Sequence, residues 1–174
     1  MRALFGLMLV ASCLPAAAIE LSNFKSGLAC TNTRLPEGDP QGWICHSTVK
    51  VFVTDQGVCK YNGEKEVCTW VGFEFDYRNA EKDQKLQCRT TSSQPSDSGN
   101  PREVVAEGVT SEDWELPLAP GAGHFFNPQY MFFNTRAPGR SDPHVQVTTC
   151  SASGKVLFES RFEFIFPEYK RPEA

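Results

Sequence analysis

Few residues in this chain could carry acid–base or metal chemistry. The three histidines, His46, His124 and His144, lie on separate segments, and nothing in the sequence brings them together. Three histidines could bind copper or zinc, but their spacing matches no metal-binding motif. We therefore expect no metal and no other cofactor, and we interpret the histidines as solvated or loop residues.

A pair of carboxylates is the second candidate. Glu74 and Asp76 are two residues apart on a predicted strand, which places them on one face with Cα atoms roughly 6.5–7 Å apart. Such a pair could serve glycoside hydrolysis, although solvated charges on an outer strand face have the same spacing, and we favour that interpretation. The sequence contains no Gly-x-Ser-x-Gly elbow and no glycine-rich phosphate motif. It names no catalytic residue and favours a protein that is not an enzyme.

Cysteines are the most informative reactive residues. The chain has seven, and setting Cys13 aside leaves an even number, which is typical of a disulfide framework in an exported protein. The sequence has no Cys-x-x-Cys pair of the kind that binds zinc. Sequence does not fix the connectivity. The local pairing that we expect is Cys30–Cys45, Cys59–Cys68 and Cys88–Cys150.

The first eighteen residues have the layout of a signal peptide. Arg2 precedes an uncharged apolar run over residues 3–14, and small residues at 16–18 fit a signal peptidase site. The run is shorter than the roughly 18–20 residues that span a bilayer as a helix. We expect residues 1–18 to be removed, residues 19–167 to form one domain, and 168–174 to be a polar tail. The expected location is secreted or periplasmic, with no transmembrane segment.

A second cleavage site gives an alternative location. Residues Val10-Ala11-Ser12-Cys13 resemble a bacterial lipobox, in which the cysteine becomes the lipidated N-terminus. Under that interpretation, a lipid anchor at Cys13 tethers the protein in a bacterial envelope. The formal net charge of −4 argues against nucleic acid as a partner in either case, because phosphate binding needs clustered Lys and Arg.

Strand patterns dominate the remaining chain. Between turn residues, β-branched and aromatic residues alternate with polar ones, which predicts short antiparallel strands. In the segment His46–Thr54, Val49, Val51 and Val53 share one face, and Phe52 on the other face implies that both faces of this strand are buried. The polar stretch Ser92–Arg102 is predicted to be a mobile loop. The clearest segments are His46–Thr54, Val58–Tyr77, Leu86–Thr91, Val145–Cys150 and Val156–Phe166.

Two cysteines connect this strand pattern to a specific architecture. Eight or nine strands with turns between them predict an all-β, disulfide-stapled antiparallel β-sandwich. Cys88 and Cys150 lie on two predicted strands at a separation similar to that of the inter-sheet disulfide in immunoglobulin domains, which favours an immunoglobulin-like arrangement. The tryptophan and tyrosine typical of that fold are missing, and Thr148 stands at the tyrosine position, so family membership is not inferred.

The Asn62-Gly63 pair predicts a hairpin turn in the Val58–Tyr77 segment. With a four-residue loop, Cys59 would lie directly opposite Cys68, at a separation compatible with a disulfide. A two-residue turn would shift the register and separate them.

Aromatic residues are the best candidates for binding. The run from His124 to Phe133 lacks strict alternation and is interrupted by Pro128, so some rings are expected to face outward. Closing one end of the sandwich is the other interpretation of the same rings. Tryptophans and tyrosines could also form a flat platform for sugar rings. The predicted binding residues are Trp114, Phe125, Phe126, Tyr130 and Phe132.

These observations favour an exported, non-enzymatic binding or assembly module that acts on a protein partner. A secreted effector, an inhibitor or an envelope accessory protein would fit this description. The alternative is a carbohydrate-binding module or small glycan-active enzyme that uses exposed Trp and Tyr residues, with a polysaccharide as its ligand. An exposed apolar patch or an open edge strand would favour the first hypothesis.

Overall fold

A computed structural model of the chain describes residues 18–31, 42–53, 57–61, 64–100, 103–132 and 143–166. The predicted signal peptide, apart from Ala18, and the predicted tail lie outside these ranges. None of the described residues forms a helix that is long and apolar enough to cross a membrane. The strands are β1 (Glu20–Thr31), β2 (Gly42–Ser47), β3 (Lys50–Phe52), β4 (Gly57–Tyr61), β5 (Glu64–Ala80), β6 (Lys85–Asn100), β7 (Glu103–Pro117), β8 (Gly121–Phe132), β9 (His144–Ala152) and β10 (Lys155–Ile165).

The strands form two sheets that pack against each other, which confirms the all-β, disulfide-stapled sandwich. The first sheet has the order β2-β1-β5-β4, and β8 pairs with β5. The second has the order β3-β10-β9-β6-β7. All pairings are antiparallel except that of β3 with β10, which is parallel.

The core between the sheets comes from alternate residues, as the sequence predicts. On β5, Phe73, Phe75 and Tyr77 are buried, and they face Leu86 and Phe158 of the second sheet in one apolar cluster. Burying each such ring contributes roughly 1.5–3 kcal/mol. A second part of the core is formed by Val51, Val53, Val71, Phe162, Phe164 and Phe166.

The chain crosses from one sheet to the other between β2 and β3. The sequence predicts one strand over His46–Thr54, and this is wrong: β2 ends at Ser47 in the first sheet, and β3 begins at Lys50 in the second. Val51 and Val53 are buried as predicted. Val49, predicted on the same face, and Phe52, predicted to be buried on the other, are 45% and 64% exposed, so both of these predictions are wrong. β3 is an edge strand, and no described element covers its outer face.

Two predicted interruptions are strands instead. The expected loop at Ser92–Arg102 is wrong over residues 92–100, because β6 continues to Asn100 and pairs with β7 through several register shifts. The polar composition of residues 92–100 is typical of a loop. The backbone hydrogen bonds that pair two strands do not require apolar side chains, so a polar segment can still form a strand. Likewise β8 runs through Pro128, which lies opposite Gly72. Proline is tolerated there because β8 is an edge strand among the described residues.

The β9–β10 hairpin follows the sequence closely. Ser153 and Gly154 both have positive φ angles, 49° and 78°, as a tight two-residue turn requires. A bulge between Val156 and Phe158 shifts the alternation. Val156 is therefore 58% exposed, while the phenylalanines that follow are buried.

Two of the three predicted disulfides are confirmed, Cys30–Cys45 and Cys88–Cys150. Cys88 and Cys150 lie directly opposite each other on the neighbouring strands β6 and β9. The bond therefore lies within one sheet and does not join the two sheets. This removes the observation on which the immunoglobulin-like arrangement rests.

The third predicted disulfide falls where only the backbone is described. β4 and β5 pair as antiparallel neighbours in a ladder that ends with Tyr61 opposite Glu64. The register places Cys59 opposite Glu66, so of the two alternatives it is the one in which Cys59 does not lie directly opposite Cys68. The sulfur atoms of Cys59 and Cys68 lie outside the described part of the structure.

Candidate functional site

The outer face of the first sheet carries a second buried cluster, away from the core. It consists of Ala29, Ile44 and Phe126 with the half-buried Trp70, and we call it the outer cluster. These residues come from β1, β2, β8 and β5. Because Phe73 and Phe75 point into the core, Trp70, Glu74 and the residues in phase with them point to the opposite face.

The strand β2 lies directly over this cluster. A Cβ atom added to Gly42 would be 2.4 Å from Cε1 of Phe126, so the backbone of β2 rests on that ring and only glycine fits there. Phe126 is 4% exposed as a result. The first sheet thus curls at its edge and folds β2 over its own outer face.

A buried carboxylate fixes β2 in this position. The backbone N–H of Ile44 donates to Glu74 Oε2 at 2.8 Å, and Lys25 Nζ donates to Oε1 at 2.8 Å. Glu74 is only 3% exposed, so the interpretation of this residue as a solvated charge is wrong. A buried charge is costly unless it is paired and hydrogen-bonded, and both conditions are met here. Strand alternation could not indicate this burial, since it does not show that another strand covers the outer face.

A partly exposed histidine–carboxylate pair lies beside Glu74. His124 Nδ1 is 2.8 Å from Asp76 Oδ1, and Asn23 Nδ2 donates to Asp76 Oδ2 at 2.6 Å. The hydrogen bonds from Asn23 and, secondly, His124 lower the pKa of Asp76 below its usual range. The other ring nitrogen of His124 is 4.0 Å from Glu74 Oε2, so the imidazole lies between two carboxylates. Both ring nitrogens of His124 therefore face carboxylate oxygens.

The histidines do not form a metal centre in the part of the chain that the structure describes. No group of three or more His, Cys, Asp and Glu residues there could hold a metal ion. His46 and His124 are in the first sheet, whereas His144 is on β9 in the second. His144 is buried near Phe164, so its interpretation as a solvated residue is wrong.

The predicted binding residues do not form one surface. Phe125 faces inward and stacks on Phe75 with ring centroids 5.4 Å apart, whereas the next residue, Phe126, faces outward into the outer cluster. Trp114 is half-buried against the core, and its Nε1 donates to Thr90 Oγ1 at 3.0 Å. These three rings have packing roles, and their role in binding stays a prediction.

Tyr130 and Phe132 are described only by their backbone. They lie opposite Trp70 and Cys68 on β5, and nothing is known of their rings. Trp70 packs in the outer cluster and Trp114 against the core, so these two indoles do not share a face as a sugar platform requires. Trp43 on β2 is exposed, at 42%.

An exposed apolar edge is the feature that the sequence prediction missed. Phe52 on β3 and Val49, which directly precedes β3, are both exposed, and Phe52 lies opposite the partly exposed Ile165 of β10. We call Val49, Phe52 and Ile165 the β3 edge. Two backbone hydrogen bonds flank β3 and join it to β10. Glu163 N donates to Val49 O at 2.8 Å, and Val53 N donates to Ile165 O at 2.9 Å.

The alternation of these bonds leaves one side of β3 open. Since residues 49 and 53 direct their peptide groups toward β10, the peptide groups of Phe52 point to the other side. No described strand pairs with β3 on that side. The signal for this edge in the sequence was Phe52, an apolar residue on the face opposite to Val51 and Val53. Such a residue indicates a buried face and an exposed binding surface equally well.

Comparison of the chain with protein-family models, with curated proteins and with solved structures found no significant match.

Proposed function

We propose that this protein is an exported, non-enzymatic binding module that acts on a protein partner outside the cytoplasm. The single observation that carries the proposal is Phe52, 64% exposed on an open strand edge. Single exposed apolar residues are common, but an aromatic ring beside exposed Val49, on a residue whose outward peptide groups no described strand pairs, is a combination that a partner strand can use. The other outward carbonyl of β3, that of Lys50, already accepts from Thr48 Oγ1 at 3.0 Å.

The proposed mode of binding is addition of a strand from the partner. Backbone hydrogen bonds to the open side of β3 supply affinity, and the ring of Phe52 fills a pocket that supplies specificity. Natural sandwiches restrict such edges with short strands and charges, and β3 has only three residues with Lys50 at its start. The contact is therefore a local anchor within a larger interface.

The proposed location follows from the cysteines. Disulfides persist in oxidising compartments, and the two in this structure fit an extracytoplasmic protein. We propose secretion or periplasmic export with cleavage after Ala18, and a lipid anchor at Cys13 is the alternative. Intact mass of the exported protein distinguishes them, because lipidation adds acyl chains to a chain that begins at Cys13.

Matched surface variants test the proposed function. Immobilised oxidised protein is exposed to the proteins of the compartment into which it is exported, and the bound partner is identified and titrated. The Phe52→Ser variant should weaken binding by about 30-fold, as expected for an aromatic hot spot. Val156→Ser alters an equally exposed apolar residue at the β9–β10 hairpin and should leave affinity unchanged.

Thermal unfolding of both variants controls for folding. Both should melt with the parent protein, because neither side chain is buried. If no protein binds saturably, or if the two variants bind equally well, the proposal is wrong.

A further inference from the structure

We propose that β2 is a strap over the outer cluster, and that the Cys30–Cys45 disulfide keeps the strap closed. Reduction of this bond by a dithiol would release β2 and expose Phe126 and Trp70. The proposal needs no partner and stands apart from the proposed function. It concerns a thiol-dependent change in the apolar surface of the protein itself.

The position of the disulfide within the β1–β2 ladder supports this role. Leu28 lies opposite His46, but the next residue, Ala29, lies opposite Ile44, so Cys45 is the extra residue of a bulge. A bulge interrupts the backbone ladder. The bond from Cys45 to Cys30 supplies a covalent link between β1 and β2 at this interruption.

Besides the disulfide, β2 is held by its ladder with β1, which pairs residues on both sides of the bulge. The contacts of β2 with the outer cluster itself are few. The main polar one is the hydrogen bond from the Ile44 N–H to buried Glu74. The apolar ones are the contact of Gly42 with Phe126 and the burial of the Ile44 side chain. When β2 moves away from the outer cluster, Glu74 keeps its hydrogen bond from Lys25. Opening of the strap therefore does not leave the Glu74 carboxylate without a partner.

The two described disulfides differ in their accessibility to a reductant. Cys45 is exposed and Cys30 is partly exposed. Cys88 and Cys150 are buried in the core, at 3% and 0% exposure. Thiol–disulfide exchange requires the attacking thiolate to reach a sulfur atom, so Cys30–Cys45 should react first.

The reaction balances as a two-electron exchange. A dithiol gives up two electrons and two protons and becomes a cyclic disulfide. The Cys30–Cys45 bond breaks, and each sulfur takes one electron and one proton to become a thiol. Because β2 then lacks its covalent link to β1, the equilibrium between closed and open forms shifts toward the open form.

Graded reduction followed by alkylation tests the order of reaction. Oxidised full-length protein is incubated with increasing dithiothreitol, alkylated, and analysed by peptide mass mapping. Cys30 and Cys45 should be labelled at reductant concentrations at least tenfold below those that label Cys88 and Cys150. Equal labelling of the two pairs would overturn the proposal.

Opening of the strap needs a separate readout. In the Trp43→Phe/Trp114→Phe background, Trp70 is the single tryptophan, since the chain has three. Reduction should shift its emission to longer wavelength, and hydrogen exchange over residues 42–47 should become at least tenfold faster.

A double variant without the disulfide distinguishes opening of the strap from other effects of the reductant. Cys30→Ser/Cys45→Ser should show the shifted emission and the fast exchange without reductant, while exchange in β9 stays slow. If residues 42–47 stay protected in this variant, the disulfide does not hold β2 and the inference is wrong.

Discussion

Replacement of Phe126 by alanine tests the packing of the outer cluster. The sequence placed this ring in a binding surface, which predicts weaker binding with unchanged stability. The structure buries it under the backbone of β2, at 4% exposure. Phe→Ala in a buried site costs about 3–5 kcal/mol. Because the outer cluster is small and lies at a sheet edge, we expect the lower end, about 3 kcal/mol.

That loss is large for a domain of this size. Small domains have free energies of unfolding of about 5–15 kcal/mol, so Phe126→Ala should remove a substantial part of the total. At about 2–4 °C per kcal/mol for a chain of this length, the melting temperature should fall by roughly 6–12 °C. Urea unfolding of the oxidised protein measures the free energy directly.

Phe52→Ala is the matched control for this experiment. The same chemical change at an exposed site should alter the free energy of unfolding by less than about 0.5 kcal/mol. If Phe126→Ala were as mild as Phe52→Ala, β2 would not be packed on the ring, and the description of the outer cluster would be refuted.

Three further changes address the polar contacts around β2. Glu74→Gln keeps the shape but weakens the charge-assisted bond from Ile44 N–H, and should lower the urea-measured stability by about 1–2 kcal/mol; no loss would mean that the carboxylate does not hold β2. The pKa of Asp76 is lowered by its hydrogen bonds, so its contribution to stability is present above about pH 3.8 and is lost as pH falls through the folded pKa. Asp76→Asn should therefore flatten the fall of stability in that acid range, and an unchanged pH profile would contradict the assignment. Gly42→Ala places a methyl group against Phe126 and should cost about 1–3 kcal/mol in thermal unfolding; a neutral effect would show that β2 can move away freely.

Alternation predicted the inner face of the sandwich well. The phenylalanines of β5 and β10 are buried where a period of two residues places them. This works because the core side of a strand is set locally by the pleat. The two confirmed disulfides followed from pairing the cysteines locally. The antiparallel pairing of β4 with β5 followed from the Asn62-Gly63 signal between them.

The features that the sequence did not predict depend on contacts between residues far apart in the chain. Nothing near Glu74 or Phe126 indicates that β2 folds over the outer face, so one was interpreted as solvated and the other as a binding residue. Phe52 was assigned to the interior because a strand that is apolar on both faces is usually buried, whereas β3 lies at a sheet edge. The placement of Cys88 and Cys150 in one sheet required the strand order, which spacing along the chain does not contain.

The most direct test of the proposed binding role is site-specific photo-crosslinking from the β3 edge. A benzophenone amino acid placed at position 52 is compared with the same group at position 156, which is exposed near the start of β10, at the opposite end of that strand from its pairing with β3. The account predicts that position 52 forms one discrete crosslink to a protein of the exported compartment, and that excess unlabelled protein competes it away. A crosslink of equal yield from both positions, or none from position 52 when the protein is folded and oxidised, would contradict it.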